Sequence, residues 1–124
     1  MVRLRLRLGP HAPAVVRRVV MATAAQADLP VDRGSEAELV AEIITLAAAE
    51  STPDGLLTLE LEPTPGSLKV SAGPVRTGVS EIIGQSGAPG PIIAMMTDGV
   101  WSEFVGPDEF LCFEVLGHQS AAEA

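Results

Sequence analysis

Hydrophobic and polar residues alternate strictly at the start of the chain. Val2, Leu4, Leu6 and Leu8 fall on one side and Arg3, Arg5 and Arg7 on the other, the period-two pattern of a half-buried strand. Gly9-Pro10 ends it. The period then lengthens. Val15, Val16, Val19, Val20, Thr23 and Ala27 form one stripe at helical spacing, with Arg17 and Arg18 outside it. Pro13 suits a first helical turn, and Leu29-Pro30 predicts the stop. A second helix is expected to open at Gly34-Ser35, because Ser35 and Glu38 have the spacing of a capping box. Leu39, Val40, Ile43, Leu46 and Ala47 give it a wide apolar face, ending near Glu50.

Alternation returns after the turn cluster Ser51-Thr52-Pro53-Asp54-Gly55. Leu57, Leu59 and Leu61 oppose Thr58, Glu60 and Glu62. With Pro63-Thr64-Pro65-Gly66 as a turn and Leu68–Ala72 as a short strand, this predicts an antiparallel hairpin. Residues 73–91 are rich in Gly and Pro and read as irregular. Ile92–Thr97 reads as a short apolar helix. Gly99–Val105 and Glu109–Leu116 read as a second hairpin around Gly106-Pro107-Asp108. The order is β-α-α-ββ-α-ββ. It predicts an α+β two-layer sandwich of about five mixed strands with helices on one face. Residues 1–117 make one domain, and the small polar stretch 118–124 is expected to fray.

Composition narrows the chemistry. The 124 residues are one domain's worth, and 47 % are hydrophobic, which favours a folded chain over a disordered one. Eight basic residues against sixteen acidic ones leave a net charge of -8. Such a surface repels phosphate backbones, so nucleic acid is not an expected partner, whereas a basic protein surface is. The chain contains no Asn and no Tyr. Cys112 is its single cysteine, so no disulfide within the chain and no Cys-rich metal site is expected. The stretch MVRLRLRLGP has no unbroken apolar core of a signal peptide. No apolar run approaches the roughly 18 residues of a membrane span. The expected setting is soluble and cytoplasmic, with no membrane partner. Seven Arg against one Lys is usage associated with a GC-rich bacterial genome.

Four segments in order resemble the anti-sigma factor serine kinases of bacteria, members of the GHKL ATPase superfamily with the Bergerat fold. LGPHAPAVVRRVV resembles the family's approach to its first helix. ELVAEIITLAAAES resembles the second helix, which in the family carries Glu-x-x-x-Asn and a nearby His. GSLKVSAGP resembles the strand that ends at an Asp-x-Gly-x-Gly turn, and GPIIAMMTDGVWSEF the helix after the lid and the strand that follows. The resemblance covers nearly the whole chain and implies a Bergerat-like sandwich. It implies ATP chemistry only where the family's residues persist. Aligned on Glu42, the Asn position is Leu46 and the His position is Glu50. The adenine-reading Asp falls at or beside Pro74. The Gly-Leu-Gly-Leu turn becomes Gly90-Pro91-Ile92-Ile93, where Pro91 lacks the N–H a phosphate would need. An apolar Leu46 cannot coordinate a hard cation. The resemblance therefore implies a degenerate member, a pseudo-kinase without ATP, nucleotide cofactor or metal.

Weighed singly, the candidate residues divide between function and architecture. Glu42 is either a relic of the base that activates a hydroxyl or a solvated helix residue. Arg3, Arg5 and Arg7 either meet an acidic partner or a second copy, or form the wet face of a strand whose edge they blunt. Arg17 and Arg18 either contact a partner, as related anti-sigma factors do near this helix, or are solvated. Cys112 in an apolar strand reads as structural. His11 reads as a helix cap, and with His118 supplies too few ligands for a metal. Trp101 reads as core or part-core. The expected function is a non-catalytic module that binds a sigma factor or its antagonist protein, with a homodimer allowed. One alternative is a divergent but active ATP-dependent serine kinase, with Glu42 as base and Asp98 or Asp54 standing in elsewhere. The other is an unrelated small α+β ligand-binding protein.

Overall fold

The alternating Leu and Arg residues of Val2–Arg7 build β1. A computed structural model describes residues 1–49, 52, 54–75, 93 and 95–117. Two helices follow, α1 over Ala12–Gln26 and α2 over Val31–Ala49. β2 spans Leu56–Thr64, β3 Ser67–Val75, β4 Gly99–Val105 and β5 Asp108–Leu116. The sheet order is β1-β2-β3-β5-β4. The fold is thus α+β with a five-stranded sheet and two helices.

Every pair in this sheet is antiparallel, which corrects the expectation of mixed strands. The reason lies in the connections. α1 and α2 pack as a helical hairpin, so the chain returns to the end where β1 finished. There the Leu8 N–H donates to the Gly55 carbonyl at 2.8 Å, setting β2 off in the opposite sense. Two-residue turns then fold β3 onto β2 and β5 onto β4. Gly66 (φ +80°) and Gly106 (φ +62°) take the left-handed backbone those turns require.

Alternation turns one side of each strand toward the helices, and the core forms on that side of β1, β2, β3 and β5, while no residue of β4 is buried. Val2, Leu61, Val70, Phe113 and Val100 make one cross-strand row, and Leu4, Leu59, Ala72, Leu111 and Ser102 the next. Val16, Val20 and Ala24 of α1 and Ala37, Val40, Ala41, Ile44 and Ala48 of α2 pack on that side. Small residues let the helices approach. A Cβ on Gly34 would stand 3.4 Å from Met21 Sδ and 3.5 Å from Ala24 Cβ.

α2 starts earlier than expected, at Val31. Gly34 and Ser35 lie inside the helix, and the Gly34 N–H already donates to the Pro30 carbonyl at 2.9 Å. No Ser35–Glu38 capping box is therefore needed. Asp28, at φ +59°, closes α1 instead. The Leu29 N–H reaches back to the Ala24 carbonyl and the Asp28 N–H to that of Ala25, the pattern of a Schellman motif with Asp in the usual Gly place.

The first hairpin is longer than its alternation indicated. Pro63 belongs to β2 and pairs with Leu68, two residues past Leu61, where β1 pairing ends. Its missing N–H therefore costs no bond to β1. Gly73–Val75, read as irregular, belong to β3. Of the expected helix over 92–97, Ile93, Met95 and Met96 are helical, and Thr97 Oγ1 donates to the Ile93 carbonyl at 2.8 Å. The remainder of the irregular stretch (76–91), residues 92 and 94, and the polar tail 118–124 lie outside the described residues.

Candidate functional site

The candidate residues fall on two opposite layers. Val2, Leu4 and Leu6 pack on the core, so Arg3, Arg5 and Arg7 stand on the sheet face away from the helices. All three are exposed. Arg3 is paired with Glu60, Nη2 to Oε2 at 2.6 Å. No ion pair holds Arg5 or Arg7 among the described residues.

The row through Arg3 continues across the sheet as Glu60, Ser71, Cys112 and Trp101. Glu60, Lys69, Ser71, Trp101, Glu103 and Cys112 help to line a cavity of about 110 Å³ here. Trp101 is therefore on the sheet face away from the helices, not in the core between the layers, and is 37 % exposed. Its indole N–H donates to Glu103 Oε1 at 3.2 Å. Cys112 is buried. Loss of solvent, with the Glu103 carboxylate next, pushes its thiol up to about 12. A thiol held protonated is a poor nucleophile, in keeping with the structural reading.

On the helical layer, Arg17 and Arg18 share a groove with Glu38. With Ala14 and Met21 they line an open groove of about 420 Å³ between α1 and α2. Glu42, half-buried, lies one turn beyond Glu38 on α2. The same helix also carries apolar residues that face solvent. Leu39 is 40 % and Leu46 56 % exposed, and half-buried Ile43 lies between them. The spacing i, i+4, i+7 puts these three on one side of the helix, with Leu39 and Leu46 open to solvent and Ile43 at the margin, packed against the core. The periodic pattern alone placed Leu39 and Leu46 with the core. α2 is apolar on two sides, and only packing shows which side is left open.

A cluster that the pattern did not reveal lies at the start of α2. Arg33 is 6 % exposed. Its Nη2 donates to Asp98 Oδ2 at 2.5 Å, its Nη1 to Glu36 Oε1 at 2.7 Å and its Nε to the Leu116 carbonyl at 2.9 Å. Asp98 Oδ2 also accepts the Leu116 N–H at 2.8 Å. The guanidinium thus fastens α2 to the end of β5 and to the residue before β4. The Arg33–Glu36 spacing was its one local signal, hidden by a helix start placed too late.

This cluster commits Asp98 to architecture. Asp54 is likewise committed, with Oδ1 accepting the Leu56 N–H at 3.1 Å as β2 begins. His11 sits at the N-cap of α1 but makes no side-chain capping bond, so the expected cap is not formed. No group of three or more His, Cys, Asp or Glu among the described residues is placed to hold a metal. No helix among them is long and apolar enough to cross a membrane. Neither the family models nor the curated proteins compared with the chain gave a match.

Proposed function

We propose that this chain is a non-catalytic regulatory module that binds a protein partner. The partner fits a sigma factor or the antagonist of an anti-sigma factor, engaged without ATP. One observation carries the reading: Leu39 and Leu46 are exposed apolar residues on one side of α2, flanking Ile43, which is half-buried against the core. In the resembled kinases the position of Leu46 belongs to the metal-binding Asn. A hard cation cannot be held there, but an apolar groove or helix of a partner can. The element order β-α-α-ββ followed by a ββ hairpin supports the Bergerat-like assignment. The net charge of -8 favours encounter with basic surfaces.

The competing kinase reading loses its substitutes, because Asp98 and Asp54 are held by structural hydrogen bonds. Calorimetry with Mg²⁺ and ATP or ADP should register no binding. Titration against purified sigma factors and antagonist proteins from the source cell should find a partner, with affinity reduced at least tenfold by Leu46→Glu. Micromolar nucleotide affinity, or partner binding untouched by both Leu39→Glu and Leu46→Glu, would overturn the reading.

A further inference from the structure

The two edges of the sheet are treated differently. At β1, Arg3, Arg5 and Arg7 alternate with the core residues. Any antiparallel pairing of β1 with another β1 that keeps its core side inward sets Arg against Arg, which repels. At the other edge, β4 hydrogen-bonds to β5 alone among the described residues. It carries no positive charge and one negative charge, Glu103. Its apolar residues stand out of the molecule: Val100 is 49 %, Phe104 59 % and Val105 67 % exposed. A seven-residue edge of this kind invites another strand.

The order of residues says which strand. In a two-residue hairpin the flanking pair, here Val105 and Asp108, exchanges hydrogen bonds. Counting back by twos, Trp101 and Glu103 also point their backbone groups at β5. Val100, Ser102 and Phe104 point theirs outward. A two-fold axis beside Ser102, the middle of Gly99–Val105, then pairs those outward groups with their own kind. Ser102 faces Ser102 of the partner, and Val100 faces Phe104 of the partner, each as a hydrogen-bonded pair. On the other face, Trp101 comes opposite Glu103 of the partner, and Gly99 opposite Val105. Apolar thus meets apolar, an indole meets a carboxylate, and no like charges face each other. Moving the axis by one residue to Glu103 would set carboxylate against carboxylate. The register about Ser102 keeps the full seven-residue overlap of Gly99–Val105 and sets no like charges together.

We propose that two copies of this chain pair through β4, in antiparallel register about Ser102, to make one continuous sheet of ten strands. The inference uses only β4 and stands independently of the partner reading for α2.

The test is sedimentation equilibrium with Ser102→Pro and Phe104→Lys. Ser102→Pro removes an outward N–H and leaves the bonds to β5 intact. Phe104→Lys puts a charge against the apolar Val100. The wild type should sediment as a dimer at about 0.2 mM, where a Kd of tens of micromolar registers. Both variants should sediment as monomers, with far-UV circular dichroism unchanged, and with dimer affinity at least tenfold weaker. In a Cys112→Ser background, Ser102→Cys should crosslink through its own new thiol under mild oxidation. Cα atoms of a hydrogen-bonded antiparallel pair stand about 5.5 Å apart, within disulfide reach. Glu103→Cys should crosslink far less. Three results overturn the proposal: a wild-type monomer at that concentration, a dimer that survives both edge variants, or preferential crosslinking at Glu103→Cys. A dimer broken by Leu46→Glu but not by Ser102→Pro would place the contact on α2 and overturn it as well.

Discussion

Replacing Asp98 with Ala removes one carboxylate oxygen that serves two donors. Asp98 Oδ2 accepts Arg33 Nη2 at 2.5 Å and the Leu116 N–H at 2.8 Å. The side chain of Arg33 is 8 % exposed and that of Asp98 17 %, so water replaces the Arg33 bond poorly, whereas the Leu116 bond is open to it. A hydrogen bond to a charged group contributes about 1.5–3 kcal/mol net. Breaking a buried pair from one side costs about 3–5 kcal/mol, because a charge is left behind. Glu36 still faces Arg33 Nη1 at 2.7 Å, so the lower end applies and Asp98→Ala should cost about 3 kcal/mol. For a chain of this size that lowers Tm by roughly 10 °C. Urea unfolding followed by Trp101 fluorescence and far-UV circular dichroism measures it, with an unchanged m-value showing that stability alone has moved. Glu36→Gln, at a carboxylate 34 % exposed, should cost less than about 1 kcal/mol. Joining Arg33→Met to Asp98→Leu should recover much of the loss, since apolar residues fill the space of a buried pair without stranding a charge. A loss under about 1 kcal/mol for Asp98→Ala, or strict additivity in the double variant, would refute the idea that this clamp holds α2 to the sheet.

Two further outcomes follow from single close contacts. A Cβ on Gly73 would stand 2.6 Å from Phe110 Cδ2 and 2.9 Å from the Glu109 carbonyl, so Gly73→Ala should cost about 2–3 kcal/mol in urea unfolding. Adding Phe110→Ala should relieve the ring clash but leave the carbonyl one, and a neutral Gly73→Ala would show that Phe110 moves aside freely. Cys112 holds its proton in the folded state up to about 12, against an ordinary 9.0. The unfolded chain therefore releases that proton first as pH rises. Its contribution to stability is whole below pH 9 and is lost between there and about 12. Cys112→Ser should flatten that loss. A thiol reagent at about pH 8 should label Cys112 in urea and leave the folded protein untouched, and rapid labelling of the folded form would contradict the burial.

The kinds of element were legible in the sequence because hydrophobic period is a local property. The alternation at Val2–Arg7 and at Leu56–Leu61, and the longer period at Val16–Ala27, needed no knowledge of the rest of the chain. The absence of any Asn, and Leu46 four residues after Glu42, were equally plain. Placement was different. Two sides of α2 are apolar, and only its seating on α1 and the sheet decided that Ala37, Val40 and Ile44 are covered while Leu39 and Leu46 are not. Gly34 reads as a helix boundary, yet it lies inside α2, where its N–H donates to the Pro30 carbonyl. Arg33 and Asp98 are 65 residues apart, and no spacing rule reaches that far. Whether a strand is central or at the edge depends on which strand the chain pairs next, so the openness of β4 was invisible in GVWSEFV itself. Residue type and period settle what a segment becomes. Burial and exposure are set by long-range pairing, and here they decide which surfaces are free to bind.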